Sequence, residues 1–509
     1  MTPNILSAVS RFLGVNSLNA TGRDAYLVIT LRSLRMFSAG IPSLILALFF
    51  SALKFPDTRI GLFMTLTLLG DVVLSLVLTL VADQLGRRRI LLFGSFMMVC
   101  SGTAFALSEN FWVLLVAAVF GVISVTGADT GPFRAVEESI LSGLTDEKTR
   151  SDVLTWYVTS TTLAGAIGSE VAGRTVTFVE KLSSGNELHA FHVLFWGYAG
   201  FGVAGCVLSL MLSSRCEMKG EKKEMREVGR GGSHPDGEEE EVLLENMTPT
   251  TDGFSEAQQD LRRADRREPT KKPYFSQISA PTRHIMFKLW ILLAIDSLAD
   301  GMTPYSLINY YMDQKFQLSK AVLGDITSAS QFLCAVSSIF AGPLSKRIGL
   351  INTMVFTHLP SSIASAFVPL PKSVGWTVGI LLFRAALNSM DQAPRTAFIA
   401  AVVKPEERTA VMGITSMARI LAMSVGPSIT GLLAGSDQFW AAFLGTGIAR
   451  VVYDVGLWVL FINVKRDNVW DEDGEGLEGL LSDTESENDS SADSKKDEEE
   501  LSRRSNVGV

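Results

Sequence analysis

Charge is scarce in this chain. Asp, Glu, Lys and Arg make up 19% of its 509 residues, against about a quarter in soluble globular proteins, while 47% are hydrophobic. Two further scarcities narrow the chemistry. Five histidines and four cysteines, without paired spacing, supply neither a metal-ligand pattern nor a disulfide framework. The chain also has no phosphate-binding loop, no H-E-x-x-H and no G-x-S-x-G. No ATP drive, cofactor, metal site or catalytic residue is therefore expected, and the chain does not read as an enzyme or as a nucleic-acid binder.

What the sequence has instead is long apolar runs. Crossing about 30 Å of hydrocarbon takes roughly 20 apolar residues in a helix, which pairs every backbone polar group internally. Twelve runs fit, near residues 34–53, 60–81, 90–107, 111–141, 153–176, 191–212, 285–311, 322–344, 351–370, 374–403, 409–434 and 439–464. They predict an all-α membrane protein of two six-helix bundles, residues 29–213 and 284–466, with tails over 1–28 and 467–509 and a linker over 214–283. The final tail holds 15 acidic and 4 basic residues, a net −11 against −8 for the whole chain, which leaves the remainder at about +3. Such a tail, like the mixed-charge linker, has too little apolar surface to offset its ordering entropy and reads as disordered. Lys and Arg gather in the loops after runs 2, 4, 8 and 10 and in the linker, which predicts that those loops and both termini are cytoplasmic.

The two groups of six repeat each other in the same direction. At an offset of 263 residues Ser43 meets Ser306, Gly86 meets Gly349 and Gly121 meets Arg384. After a longer fourth connection the offset becomes 258, where Arg150 meets Arg408, Gly168 meets Gly426 and Gly173 meets Gly431. A same-sense repeat predicts two bundles related by an axis along the membrane normal, with a solute path between them.

The stretch "TLVADQLGRRR" after run 2 resembles the loop signature of the major facilitator superfamily, through Asp83, Gly86, Arg87, Arg88 and Arg89, with Thr79 standing where a glycine is usual. The second half carries a decayed copy, "GPLSKRIG", that keeps Arg347 and Gly349. The resemblance implies a gate: Asp83 would satisfy backbone donors at the start of run 11, where the helix dipole favours an anion, and the arginines would bridge the same gap. The alternative is that the basic cluster only sets topology. The resemblance also places Arg384 where the superfamily carries an arginine in its fourth span.

Charges within the runs are the candidate working groups, since each costs on the order of 2.5–3.5 kcal/mol at membrane depth unless it faces a cavity or a partner. Runs 4 and 10 both read D-x-x-P followed by arginine, giving Asp129, Pro132 and Arg134, then Asp391, Pro394 and Arg395. Each proline is expected to kink its helix and free a carbonyl beside the acid. Asp296 and Asp300 share one face of run 7, with Arg32 and Arg35 of run 1 as possible partners. Asp71 and Glu170 are single acids. Arg450 with Asp454, and Arg134 with Glu137 or Glu138, have the spacing of structural ion pairs within one helix.

Together these features predict a secondary carrier that moves a small solute by rocking its two bundles, coupled to protons through Asp129, Asp391, Asp296 and Asp300, with a monomer as the transport unit in a plasma or organellar membrane. The alternatives are an uncoupled facilitator, or a receptor that kept the fold and signals through its acidic tail.

Overall fold

A computed structural model describes residues 15–121, 123, 133–217, 280–403 and 407–461, without the side chains of residues 79–84 and a few others. Asp129, Pro132, the linker and the acidic tail lie outside the described residues. The first half contains α1 (Val15–Thr21), α2 (Arg23–Ala52), α3 (Asp57–Leu85), α4 (Arg87–Leu107), α5 (Phe111–Phe120), α6 (Phe133–Leu144), α7 (Glu147–Leu182) and α8 (Glu187–Leu210). The second contains α9 (Ala280–Met302), α10 (Tyr305–Phe316), α11 (Lys320–Ile348), α12 (Leu350–Phe367), α13 (Val374–Asn388), α14 (Gln392–Val402), α15 (Arg408–Gly435) and α16 (Phe439–Phe461).

Each of the twelve apolar runs falls on one helix or on a consecutive pair, in order. Seven helices are by themselves long and apolar enough to cross a membrane: α2, α3, α4, α8, α11, α15 and α16. Runs 7 and 10 are each divided between two helices, and the described parts of run 4 form α5 and α6. Side-chain caps fix several starts at one end of the molecule: Asn110 Oδ1 accepts from the backbone of Trp112, Asn186 from His189, Ser319 from Val322 and Ser373 from Trp376. At the other end the chain reverses in tight turns at Gly86 and Gly349, whose φ values of +89° and +88° suit glycine.

Within the first half α2 packs on α7 and α8, and α4 packs on α8; within the second α9 packs on α15 and α16, and α12 packs on α16. The halves meet along α3 with α15 and along α7 with α11. Both seams depend on the absence of side chains. A Cβ on Gly61 would stand 2.9 Å from the Cα of Gly431, and one on Gly173 would stand 3.0 Å from the Cα of Gly324. The 263-residue offset carries Gly61 onto Gly324 and the 258-residue offset carries Gly173 onto Gly431, so the two contacts are one contact repeated by the pseudo-twofold axis.

Polar contacts between the halves gather at this same end. Thr65 Oγ1 accepts from the Ser428 backbone at 3.1 Å, the backbone N–H of Ala321 donates to Thr177 Oγ1 at 3.0 Å, and Tyr310 OH donates to Asp57 at 2.6 Å. Arg174 reaches Asp325 at 3.0 Å and Lys320 reaches Glu187 at 2.9 Å. Toward the Gly86 and Gly349 turns the packing is looser. No heavy atom lies within 4 Å of where a Cβ would stand on Gly342, Gly349 or Gly413. The halves are clasped at the Asp57 end.

Replacing Gly61 by leucine puts a side chain into the α3–α15 seam. The expected cost is about 1–3 kcal/mol of stability, read as a lower melting temperature of the purified protein. Leucine at Gly197, where a Cβ meets nothing within 4 Å, should stay within roughly 0.5 kcal/mol of wild type.

Candidate functional site

Each half encloses a buried charge centre, assembled from helices far apart in sequence. In the first half the Glu137 carboxylate on α6 is fully buried and takes three donors. Arg35 of α2 approaches Oε1 at 2.8 Å, Arg32 of the same helix approaches Oε2 at 3.3 Å, and Tyr157 OH of α7 donates to Oε2 at 2.9 Å. Arg35 also lies over the Phe133 ring, 4.6 Å from its centroid. One carboxylate thus holds α2, α6 and α7 together.

The second half holds a larger network around α9. Arg395 of α14 lies 3.2 Å from both Asp296 of α9 and Asp391, which occupies the gap between α13 and α14. His358 of α12 bonds Asp454 of α16 through Nδ1 at 2.8 Å, with its Nε2 3.9 Å from Asp296. Ser362 donates to the other Asp454 oxygen at 2.7 Å, and the Tyr453 ring stands edge-on to the imidazole at 5.7 Å. One turn along α9, Asp300 is paired with Arg450, whose second terminal nitrogen donates to Asn388 at 2.8 Å. Arg419 of α15 donates to Ser297 Oγ at 3.0 Å. Such a network can hold charge at low dielectric because each acid has a cation or an imidazole beside it.

The structure redistributes several of the expected partnerships. Arg450 and Asp454 form no ion pair with each other; Arg450 turns to α9 and Asp454 to α12. The reason is that opposite charges on other helices offer better geometry than a neighbour one turn away. Arg32 and Arg35 face Glu137 in their own half and do not reach Asp296 or Asp300. Arg134 and Glu138 do pair, at 2.7 Å, on an exposed surface. Glu170 pairs with Arg174 at 2.5 Å, and Arg174 also reaches Asp325, so Glu170 belongs to the exposed clasp between the halves. Asp71 of α3 is buried, and its Oδ1 has no partner among the described residues. Pro394 is the third residue of α14, where its missing N–H breaks no helical bond, so run 10 is interrupted at Ser389–Asp391 and not kinked at the proline. Arg384 is half-buried, and its Nε has no partner among the described residues.

At the "GRRR" turn the expected bridge to the start of α15 is not formed by Arg87. Its backbone N–H donates to Glu217 at 2.9 Å and its guanidinium to the Ser139 carbonyl at 3.4 Å, both in the same half. Arg89 and Arg347 are exposed and Arg88 is half-buried. The Asp83 side chain lies outside the described residues.

His358 and the gathering role of Glu137 have no counterpart in the sequence reading. A histidine, a threonine and three serines in the otherwise apolar "MVFTHLPSSIASAF" are the available signal for the first. Glu137 was visible only as a neighbour of Arg134.

The sequence matches the Major Facilitator Superfamily over residues 28–272 and 289–496. It is 30% identical over 444 residues to the uncharacterized membrane protein YJR124C of Saccharomyces cerevisiae (strain ATCC 204508 / S288c), covering 87% of this chain and 95% of that protein. Among solved structures the fold is similar to the nucleoside transporter NupG, with TM-score 0.59 and 13% identity over 86% of this chain and 99% of that one. It is also similar to the peptide transporter POT in complex with sulfate, with TM-score 0.62 and 14% identity over 87% and 95%. A D-xylose-proton symporter gives TM-score 0.61 at 11% identity over 86% and 98%.

Glu137→Gln leaves two buried guanidinium groups without a carboxylate, and the expected loss is about 3–5 kcal/mol, seen as a large fall in melting temperature or in the yield of folded protein. Arg134→Gln breaks only an exposed pair and should cost under about 1 kcal/mol.

Proposed function

The chain belongs to the Major Facilitator Superfamily, and from that premise we propose that it is a secondary transporter that carries a small solute by alternating access, with proton movement supplying the drive. The observation that carries this reading is the repeated glycine contact, Gly61 on Gly431 and Gly173 on Gly324, which joins the halves at one end of the molecule. Two rigid bodies touching at one end can exchange that contact for one at the opposite end, which exposes a central site alternately to each side.

Within this reading the residues 29–213 and 284–466 are the rocking bodies, and the charged turn at Asp83, Gly86, Arg87, Arg88 and Arg89, with Arg347 and Gly349 in the second half, is the contact made when that end closes. The linker and acidic tail join these bodies on the cytoplasmic face, where both termini lie. The charge centres are complete within one chain, which supports a monomeric transport unit. Asp71 is the leading proton carrier: its carboxyl is buried in the spans with no cation paired to it among the described residues, and a water path opened by rocking would let protons reach it. Asp391, Asp296 and, from sequence, Asp129 are the further candidates, with Asp300 at the edge of the same network. Relatives of this fold described as carrying nucleosides, peptides and xylose with protons fix no solute for this chain.

Purified protein in liposomes, offered labelled nucleosides, dipeptides, pentoses, carboxylates and phosphates with and without an inward proton gradient, tests the proposal. The expected result is gradient-driven accumulation of one class. Asp71→Asn should lower accumulation at least tenfold while leaving solute exchange at equal pH intact. Flux indifferent to the gradient would leave a facilitator, and no flux of any class would remove the transporter reading.

A further inference from the structure

Charge is unevenly matched inside the second half. Asp296 and Asp391 share Arg395, and Asp454 is held by His358 and Ser362. Asp300 has Arg450. Two guanidinium groups then remain without a carboxylate among the described residues. Arg419 donates only to the Ser297 hydroxyl. The Arg384 guanidinium makes no hydrogen bond or ion pair among the described residues, and its Nε is shut away from solvent.

These groups converge on one place. Ser297, which holds Arg419, lies one turn before Asp300 on α9, and Asn388, which holds the Asp300 partner Arg450, lies one turn after Arg384 on α13. Cys334 Sγ of α11 donates to the carbonyl of Ala385, next to Arg384, at 3.1 Å and lies 3.8 Å from Tyr305 OH of α10. On either side of Tyr305 the hydroxyls of Thr303 and Ser306 are buried without a partner. The spot is open to solvent: the Asp300 side chain is 33% exposed, whereas those of Asp296 and Asp454 are 3% and 0% exposed. The local balance is two positive charges in excess, beside spare hydroxyl donors.

Guanidinium forks match the paired oxygens of carboxylates and phosphates, and charge-assisted bonds to them are strongest away from water. We infer that Arg384 and Arg419, beside Asp300 at the break between α9 and α10, form the binding site for an oxyanion, so that the solute class of this carrier is an organic or inorganic anion bearing a carboxylate or phosphate. Thr303 and Ser306 supply neutral donors to its remaining oxygens, and Asp300 limits the site to anions able to compete with it for the arginines. This rests on the transporter reading for its consequence, though not for the site itself.

Thermal unfolding of the full-length protein in detergent, at pH 7 and constant ionic strength, reads binding without transport. The probes are inorganic phosphate, succinate, xylose and adenosine. Phosphate or succinate should raise the melting temperature saturably, and which of the two does so separates phosphate from carboxylate recognition. The half-saturating concentration should rise at least tenfold in Arg384→Gln and in Arg419→Gln, less in Arg384→Lys, and stay unchanged in Lys372→Gln, an exposed loop cation. Asp300→Asn should lower it at least threefold, the opposite sign from a merely damaged site. Stabilisation by xylose or adenosine alone, or equal anion binding by wild type and both glutamine variants, would overturn the site. Anion binding without uptake of either anion into liposomes would remove the transporter reading and leave the site standing, whereas uptake of a neutral solute with no anion binding would do the reverse.

Discussion

A charge inside a helix bundle is tolerated when a group of opposite sign meets it, and that condition shapes each half of this molecule. The Born cost of stranding a guanidinium or carboxylate at low dielectric is several kcal/mol even after relaxation. Glu137 therefore fixes how α2, α6 and α7 stand against one another, and Arg395 and His358 do the same for α9, α12, α14 and α16. These pairs bind helices within a half. They make each half a stiff unit. Between the halves the described contacts are glycine seams, apolar packing, and hydrogen bonds and ion pairs such as Gln331 with Ser169 and Arg174 with Asp325, with no buried carboxylate–guanidinium pair among them.

The two centres are related by more than function. In each half one residue of the second helix in the fourth run, Glu137 on α6 or Arg395 on α14, holds opposite charges on the first long helix of its bundle, Arg32 and Arg35 on α2 and Asp296 on α9. The pairing recurs with its sign reversed. The second half then adds Asp300, Arg384, Arg419 and Arg450, so more of its described charges lie inside the bundle.

The apolar runs and the same-sense repeat were legible along the chain, because helix length and repeat offset are properties of a linear string; that glycines form the seams was not. Gly173 and Gly431 were matched by offset, and their partners Gly324 and Gly61 complete the same symmetry. Partnership between side chains was not legible. Spacing in sequence shows which residues share a helical face, as with Asp296 and Asp300, but not which helix that face meets. Arg450 and Asp454 illustrate the failure: their i, i+4 spacing is real, yet partners 150 and 96 residues away take both. Arg134 with Glu138, exposed and lacking a competitor across a helix interface, keeps the local pairing that spacing implies.

The interruptions in runs 7 and 10 explain how one pair of acids serves two purposes. A helix may break at membrane depth where its freed backbone is buried in protein or lines a cavity. The break at Ser389–Asp391 separates Arg384 and Asn388 on α13 from Arg395 on α14, and the break around Thr303 and Pro304 follows just after Asp300. Asp296 and Asp300 are one turn apart on α9, yet Asp296 faces the stiff network through Arg395 and Asp300 faces the more open group with Arg450 and Asn388. A continuous tenth span would hold both groups on a single rod. With the break, α13 and α14 are separate segments, and the single-turn step along α9 separates the network that anchors α14 through Arg395 from the group that joins α13 and α16 through Asn388 and Arg450.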